Sequence, residues 1–249
     1  MQAAIRVGCA GWSLPRESWP SFPADGSHLQ RYAAMLNAVE INSSFYRPHQ
    51  QTTYTRWADS VPADFRFAVK LPKAITHEKR LHDAGALLDG FLAQVCGLGT
   101  RLGCLLVQLP PSLAFDETSV RIFFRALRKA HSGPVALEAR HASWFTAPVS
   151  QRLAAQHVSR VLADPVMFDE GRWPGGDPQL VYVRLHGSPR MYDSAYDKGV
   201  LDALGVRLQH AAASDASVWC IFDNTASGAA TADALYTAQA IATASHNKS

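Results

Sequence analysis

Eight short apolar runs recur along the chain, and longer segments with helical spacing separate most of them. The runs occupy residues 5–12, 38–45, 66–72, 102–110, 135–140, 159–164, 180–187 and 217–224. Strands alternating with helices pair in parallel through crossover connections. Eight such units in 249 residues predict one (β/α)8 barrel filling residues 1–249 as a single domain. Apolar residues make up 47% of the chain, enough for a substantial core. An open doubly wound sheet is the competing architecture. It lacks a phosphate-binding turn: GCAGWSLP after the first run is neither a dinucleotide fingerprint nor a Walker loop.

Three segments carry clear helical spacing. LQRYAAMLN (29–37) places Leu29, Tyr32, Ala33 and Leu36 on one stripe. DETSVRIFFRALRKA (116–130) opens on Asp116, a candidate N-cap. ASGAATADALYTAQAIAT (226–243) is alanine-rich and predicts a closing helix. After the sixth run, PVMFDEGRWPGGDPQ breaks helices with its Pro and Gly pairs, so an irregular loop is expected there.

A barrel strand is buried on both sides, and enzymes of this architecture place their sites at the C-terminal strand ends. Seven of the eight runs turn polar at that end. VEINSSF brings Glu40 and Asn42, RFAVKLP brings Lys70, and LGCLLVQLP brings Gln108. VALEAR brings Glu138 and Arg140 on one side, and SRVLAD ends in Asp164. LVYVRLHG brings Tyr182, Arg184 and His186 on one side. The last run ends in Asp223 and Asn224, and alternation is expected to turn Asn224 inward and Asp223 away. The first run ends in Trp12. Burying charges costs several kcal/mol each unless they are paired or wet. Their clustering at one rim therefore points to a binding or catalytic mouth; the bland alternative is an ion-pair network that locks the barrel.

In order along the chain, GCAGWSLP, VEINSSFYRP, FRFAVKLPKAITHEKRL, LLVQLPPSL, LEARHASWF, VYVRLHGSP and FDNTASGAATADAL resemble segments of the domain-of-unknown-function-72 family, the YecE-like proteins. The resemblance runs from about residue 6 to 240 and implies a single TIM-barrel-like domain, with no function attached. It implies recurrent polar places at Glu40, Asn42, Tyr46, Lys70, Thr76, His77, Gln108, Glu138, Arg140, His141, Trp144, Arg184, His186 and Asn224. Two departures stand out. EARH has Ala139 where an aromatic is more usual, and FDN has Asp223 where a second asparagine is more usual.

These residues support three chemistries. Lys70, Arg140 and Arg184, with His77 or Arg80, would attract an anion, since arginine grips phosphate or carboxylate bidentately. Glu138, His186 and Glu40 are then the acid/base candidates on a small phosphorylated, carboxylated or sugar-like substrate, as in a hydrolase, lyase or isomerase. Asn42, Tyr46, Lys70, His77, Gln108, Arg140, His141, Trp144, Arg184, Asn224 and Trp12 are the substrate-binding candidates. Alternatively Glu40, Glu138, Asp164 and His186 hold a divalent metal in a hydrolase, isomerase or nuclease-like barrel. Neighbouring cations oppose that, so no cofactor is expected. The third reading is a non-catalytic ligand- or nucleic-acid-binding protein, since basic and aromatic residues mix at the mouth. A formal charge of +3 is too small to favour nucleic acid.

The cysteines Cys9, Cys96, Cys104 and Cys220 have no Cys-x-x-Cys spacing and read as reduced thiols of a cytoplasmic protein. MQAAIRVGCAGW carries no charged leader, and no run approaches a membrane span. The sequon at Asn42 falls on a strand end expected to be buried, where no glycan fits. His28, His49, His131, His157 and His210 read as surface residues.

Overall fold

The computed structural model describes residues 5–246, with side chains to residue 244; the reading of residues 1–4 as free of a leader falls outside the described residues. One sheet of ten strands organises the molecule. The strands are β1 (Ile5–Ala10), β2 (Ala38–Ile41), β3 (Arg66–Lys70), β4 (Leu102–Gln108) and β5 (Val135–Glu138). They continue as β6 (Val158–Arg160), β7 (Leu162–Asp164), β8 (Gly175–Gly176), β9 (Leu180–Leu185) and β10 (Ser217–Phe222). Their order is β7-β9-β10-β1-β2-β3-β4-β5-β6-β8. All pairings are parallel except β6 with β8.

The expected regular, closed eight-stranded barrel is corrected here. The sheet curls, and one run of chain split at Val161 supplies β7 at one end and β6, beside the short terminal β8, at the other. The first half, β6, pairs with β5; the second half, β7, pairs with β9. The run that should have been one strand thus serves two neighbours in turn. The loop after it is irregular, as expected, and holds a 3-10 turn at Asp169–Arg172 and the short β8.

The helices are α1 (His28–Ala33), α2 (Ser43–Tyr46), α3 (Gln51–Asp59), α4 (Gly85–Val95), α5 (Glu117–Ala130), α6 (Ala147–Ala154), α7 (Lys198–Ala212) and α8 (Ala229–His246). Local chemistry sets several starts. Ser27 and Gln30 form a capping box at α1, and Asp116 accepts from the Ser119 N–H at α5. Helix α1 stops at Ala33, short of the expected residue 37. The second run ends as a strand at Ile41; Asn42 turns into the right-handed helical region and α2 begins. The Ser44 hydroxyl lies 3.0 Å from the Ile41 carbonyl and 2.7 Å from the Lys70 carbonyl, which ties this turn to the end of β3.

Two apolar clusters divide the core. Outward-facing Val39, Ile41, Phe67, Val69, Leu105 and Val107 pack under the helices with Tyr32, Leu88, Phe91 and Phe124. Inside the curl a smaller cluster gathers Ala38, Ala68, Cys104, Leu106, Ala136, Val161, Leu180, Tyr182, Trp219 and Ile221. Small alanines on β2, β3 and β5 leave room for Tyr182 and Trp219, whose rings stack at 5.8 Å. Above this apolar floor the next inward position is polar on β2, β3, β4, β5 and β9 and just past β10, at Glu40, Lys70, Gln108, Glu138, Arg184 and Asp223. That layering places the site. All four cysteines are free; Cys9, Cys104 and Cys220 are buried and Cys96 is exposed. Among the described residues no helix is long and apolar enough to cross a membrane.

Candidate functional site

Arg184 is the centre of the polar layer. It sits near the end of β9 with no exposed surface. Its Nε donates to Glu40 Oε2 at 3.0 Å and its Nη2 to Glu40 Oε1 at 2.7 Å, a bidentate pair. Its Nη1 donates to Glu138 Oε2, and Nη2 also reaches Asp223 Oδ2 at 3.0 Å. Tyr182 donates its hydroxyl to Glu40 Oε2 at 2.8 Å. One guanidinium therefore gathers three carboxylates from β2, β5 and the end of β10. A charge this deep survives only because its partners saturate it; removing one side of such a pair costs ~3–5 kcal/mol.

Glu138 is as fully engaged. Its Oε1 accepts from Gln108 Nε2 at 3.0 Å and Arg140 Nε at 2.9 Å. Burial alone would raise its carboxyl, but Arg184 foremost, then His186 and Arg140, hold it well below the usual carboxylate range. Asp223 follows the same logic. Burial opposes its charge, while Arg184 and His186 win and pull it down.

His186 is the titratable group between them. Its Nδ1 lies 3.0 Å from Asp223 Oδ2. Its Nε2 lies 3.3 Å from Glu138 Oε1, off the line a hydrogen bond requires, so that nitrogen has no aligned partner. Burial disfavours the imidazolium, yet Asp223 and Glu138 outweigh it and raise the pKa above its ordinary 6.5. The ring of Tyr192 stands edge-on to His186 at 5.4 Å, and its hydroxyl accepts from Arg140 at 3.0 Å.

Lys70 ends β3 beside this network without joining it. Only 7% of it is exposed. No carboxylate stands within 4 Å of its ammonium among the described residues; it lies 4.2 Å from the centre of the Phe45 ring. Burial, then Arg184, lowers its pKa against the pull of Glu40, Glu138 and Asp223. His77 stacks edge-on to Phe45 at 5.0 Å and is held by Thr76, whose Oγ1 is 2.9 Å from its Nδ1. Burial and the nearby Lys70 and Arg140 push the His77 pKa down.

A cleft opens beside Glu138, Arg140 and His186. Its other wall is apolar, with Phe145, Val161, Val166, Met167 and Met191. Apart from Val161, which lies in the sixth apolar run, no sequence signal marked this wall, because its other residues come from segments with no periodicity.

The remaining expected site residues separate. Asn42 sits at the start of α2 with a buried, unpartnered Oδ1, and Tyr46 is 79% exposed at the rim. Trp12 packs edge-on against Trp57 at 5.0 Å. His141 turns back to Ser143 at 2.9 Å. Trp144 is fully buried; its indole N–H donates to the Leu113 carbonyl at 2.8 Å, so it closes the core and offers a ligand no surface. Arg80 spends its guanidinium on Ser112.

The last strand corrects an expectation. Trp219, Ile221 and Asp223 face the inside, whereas Asn224 turns outward and donates to Asp233 at 2.8 Å and to the Ser194 carbonyl at 2.9 Å. Asp223 is thus the site residue that alternation missed. Two histidines read as surface residues, His49 and His131, are half-buried. Of the four residues offered as metal ligands, Glu40 and Glu138 give their oxygens to Arg184, and Asp164 accepts from the Tyr196 hydroxyl at 2.8 Å. Among the described residues, no group of three His, Cys, Asp or Glu is arranged to hold a metal ion.

A family model described as "Protein of unknown function DUF72" matches residues 6–249. The UPF0759 protein YunF of Bacillus subtilis is 25% identical over 197 residues, covering 74% of this chain and 70% of that protein. The UPF0759 protein YecE of Escherichia coli K12 is 27% identical over 165 residues, covering 64% of this chain and 59% of that protein. A crystal structure of a DUF72 family protein from Thermotoga maritima superposes with a TM-score of 0.74 at 25% identity, covering 94% of this chain and 98% of that one. One from Enterococcus faecalis V583 gives 0.78 at 20% identity, covering 96% of each chain.

Proposed function

We propose, on the premise that the chain belongs to the DUF72 family of proteins of unknown function, that its mouth binds a small anionic substrate and acts on it by acid/base chemistry. The observation that carries this reading is the distribution of charge partners. Arg184 engages all three carboxylates, and Lys70 is left in the mouth without one. Three carboxylates face Arg184, Arg140 and Lys70, so the cluster is balanced while Lys70 is protonated, and a protonated His186 makes it positive or, where Lys70 is a neutral amine, restores the balance. An anion entering from the cleft meets Arg140 and His186, whose buried Nε2 has no aligned partner, with Lys70 nearby at the end of β3, and displaces no partner from Arg184.

The acid/base role falls to His186 in place of Glu138. A carboxylate that already accepts from Gln108, Arg140 and Arg184 is a weak base and is not protonated to act as an acid. Asp223 and Glu138 raise the pKa of His186 above its ordinary value, its ring lines the cleft, and its Nε2 has no aligned partner. Glu40 and Glu138 then position Arg184, and Asp223 orients His186. A hydrolase, lyase or isomerase acting on a phosphorylated or carboxylated small molecule fits these groups.

Crystals soaked in inorganic phosphate test the reading. The anion should sit within hydrogen-bond reach of Arg140, Lys70 or His186. A mouth left unoccupied while phosphate binds only at exposed arginines would overturn it.

A further inference from the structure

Lys70 differs from the other lysines among the described residues. Lys73, Lys79, Lys129 and Lys198 are exposed. Lys70 stands at a strand end with 7% of its surface open, the Phe45 ring on one side and the Arg184 cluster on the other. Its ammonium makes no hydrogen bond and no ion pair among the described residues, yet it is absent from the polar atoms sealed without a partner, so it keeps access to the mouth. A lysine used only for anchoring is normally fixed by a carboxylate. Here three carboxylates stand nearby, and each is committed to Arg184. A lysine desolvated against an aromatic ring and next to a second cation is the arrangement that favours a neutral, nucleophilic amine.

We propose that Lys70 is a covalent catalyst that forms a Schiff base with a small carbonyl compound bearing an anionic group. This deepens, and rests on, the reading of the mouth as an anion site. Arg140 and His77 would hold the carboxylate or phosphate while the carbonyl carbon faces Nζ. The neutral amine attacks that carbon; the N–C bond forms and a proton passes from nitrogen to the carbonyl oxygen, giving a carbinolamine. The C–O bond then breaks with the nitrogen lone pair forming C=N. A proton from the His186 imidazolium joins the departing hydroxyl, which leaves as water. No oxidant or reductant is consumed.

Glyoxylate, which carries an aldehyde and a carboxylate, serves as the probe. The intact protein is incubated with limiting glyoxylate and sodium borohydride, then digested and mapped by mass spectrometry. Labelling should fall on Lys70 at least tenfold above any exposed lysine. The variants Lys70→Arg and Lys70→Met should both lose it while melting as cooperatively as the parent. Labelling spread over Lys73, Lys79, Lys129 and Lys198, with Lys70 unmarked, overturns the proposal. Parallel calorimetric titration with inorganic phosphate separates the two readings. Phosphate binding without Lys70 labelling sinks the covalent role alone; absence of both sinks the anion site with it.

Discussion

At the residue scale, the site is a set of commitments around Arg184. Its bidentate grip on Glu40 and its bonds to Glu138 and Asp223 are all made in a buried layer. Asp223 is the commitment with a chemical output, because it also holds His186 Nδ1. Replacing Asp223 with Asn removes the charge that favours the imidazolium and keeps the side-chain shape. The pKa of His186 should therefore fall, as read by NMR titration of the ring, from above 6.5 in the parent. The sign carries into stability. Folding raises this His above its unfolded value, so its contribution is complete below about pH 6.5 and fades as pH rises through the folded value. The Asn variant should lose less stability than the parent across that rise; an unchanged titration curve would remove Asp223 from the account. Asp223 also marks the limit of reading by alternation. The run SVWCIF is apolar on both sides, as a doubly buried parallel strand must be, and carries no phase. Only the alanines at 38, 68 and 136, which make room for Trp219, decide which side turns inward.

At the element scale, the close approach of β1 to β2 brings Glu40 to the centre. Gly8 allows it. A Cβ there would lie 1.9 Å from the Ala38 carbonyl oxygen and 2.9 Å from the Tyr32 hydroxyl. That hydroxyl bridges the two strands, accepting from the Cys9 N–H at 2.7 Å and donating to the Ala38 carbonyl at 2.9 Å. Gly8→Ala should cost at least the ~1–3 kcal/mol typical of overpacking, because the obstructing atom is backbone. Chemical denaturation measures it, and a cost below half a kcal/mol would mean that the strands part easily. Helices α5 and α8 were legible because capping and spacing are local. Helix α2 was not. VEINSSF looks like one strand until Ser44 takes the Ile41 and Lys70 carbonyls, and the second of these contacts spans 26 residues.

At the scale of the whole molecule, the parallel order of most strands was readable from the alternation of strands and helices, and the gathering of polar residues at one rim from where most runs turn polar. The split at Val161 was not, because SRVLAD reads as one strand and only the geometry of curling makes its halves serve β5 and β9 separately. The apolar side of the cleft was equally hidden in loop residues. What the assembled molecule adds is an arrangement in which Arg184 takes up Glu40, Glu138 and Asp223, while Lys70 beside them has no carboxylate within 4 Å among the described residues. Sulfate binding measured by calorimetry across pH tests this most directly, because sulfate holds its charge through the range in which His186 titrates. Affinity should weaken as pH rises through the raised pKa of His186, and His186→Gln should abolish that step while leaving any separate one from His77 below 6.5. Sulfate that fails to bind, or binds with no dependence on His186, would contradict the account.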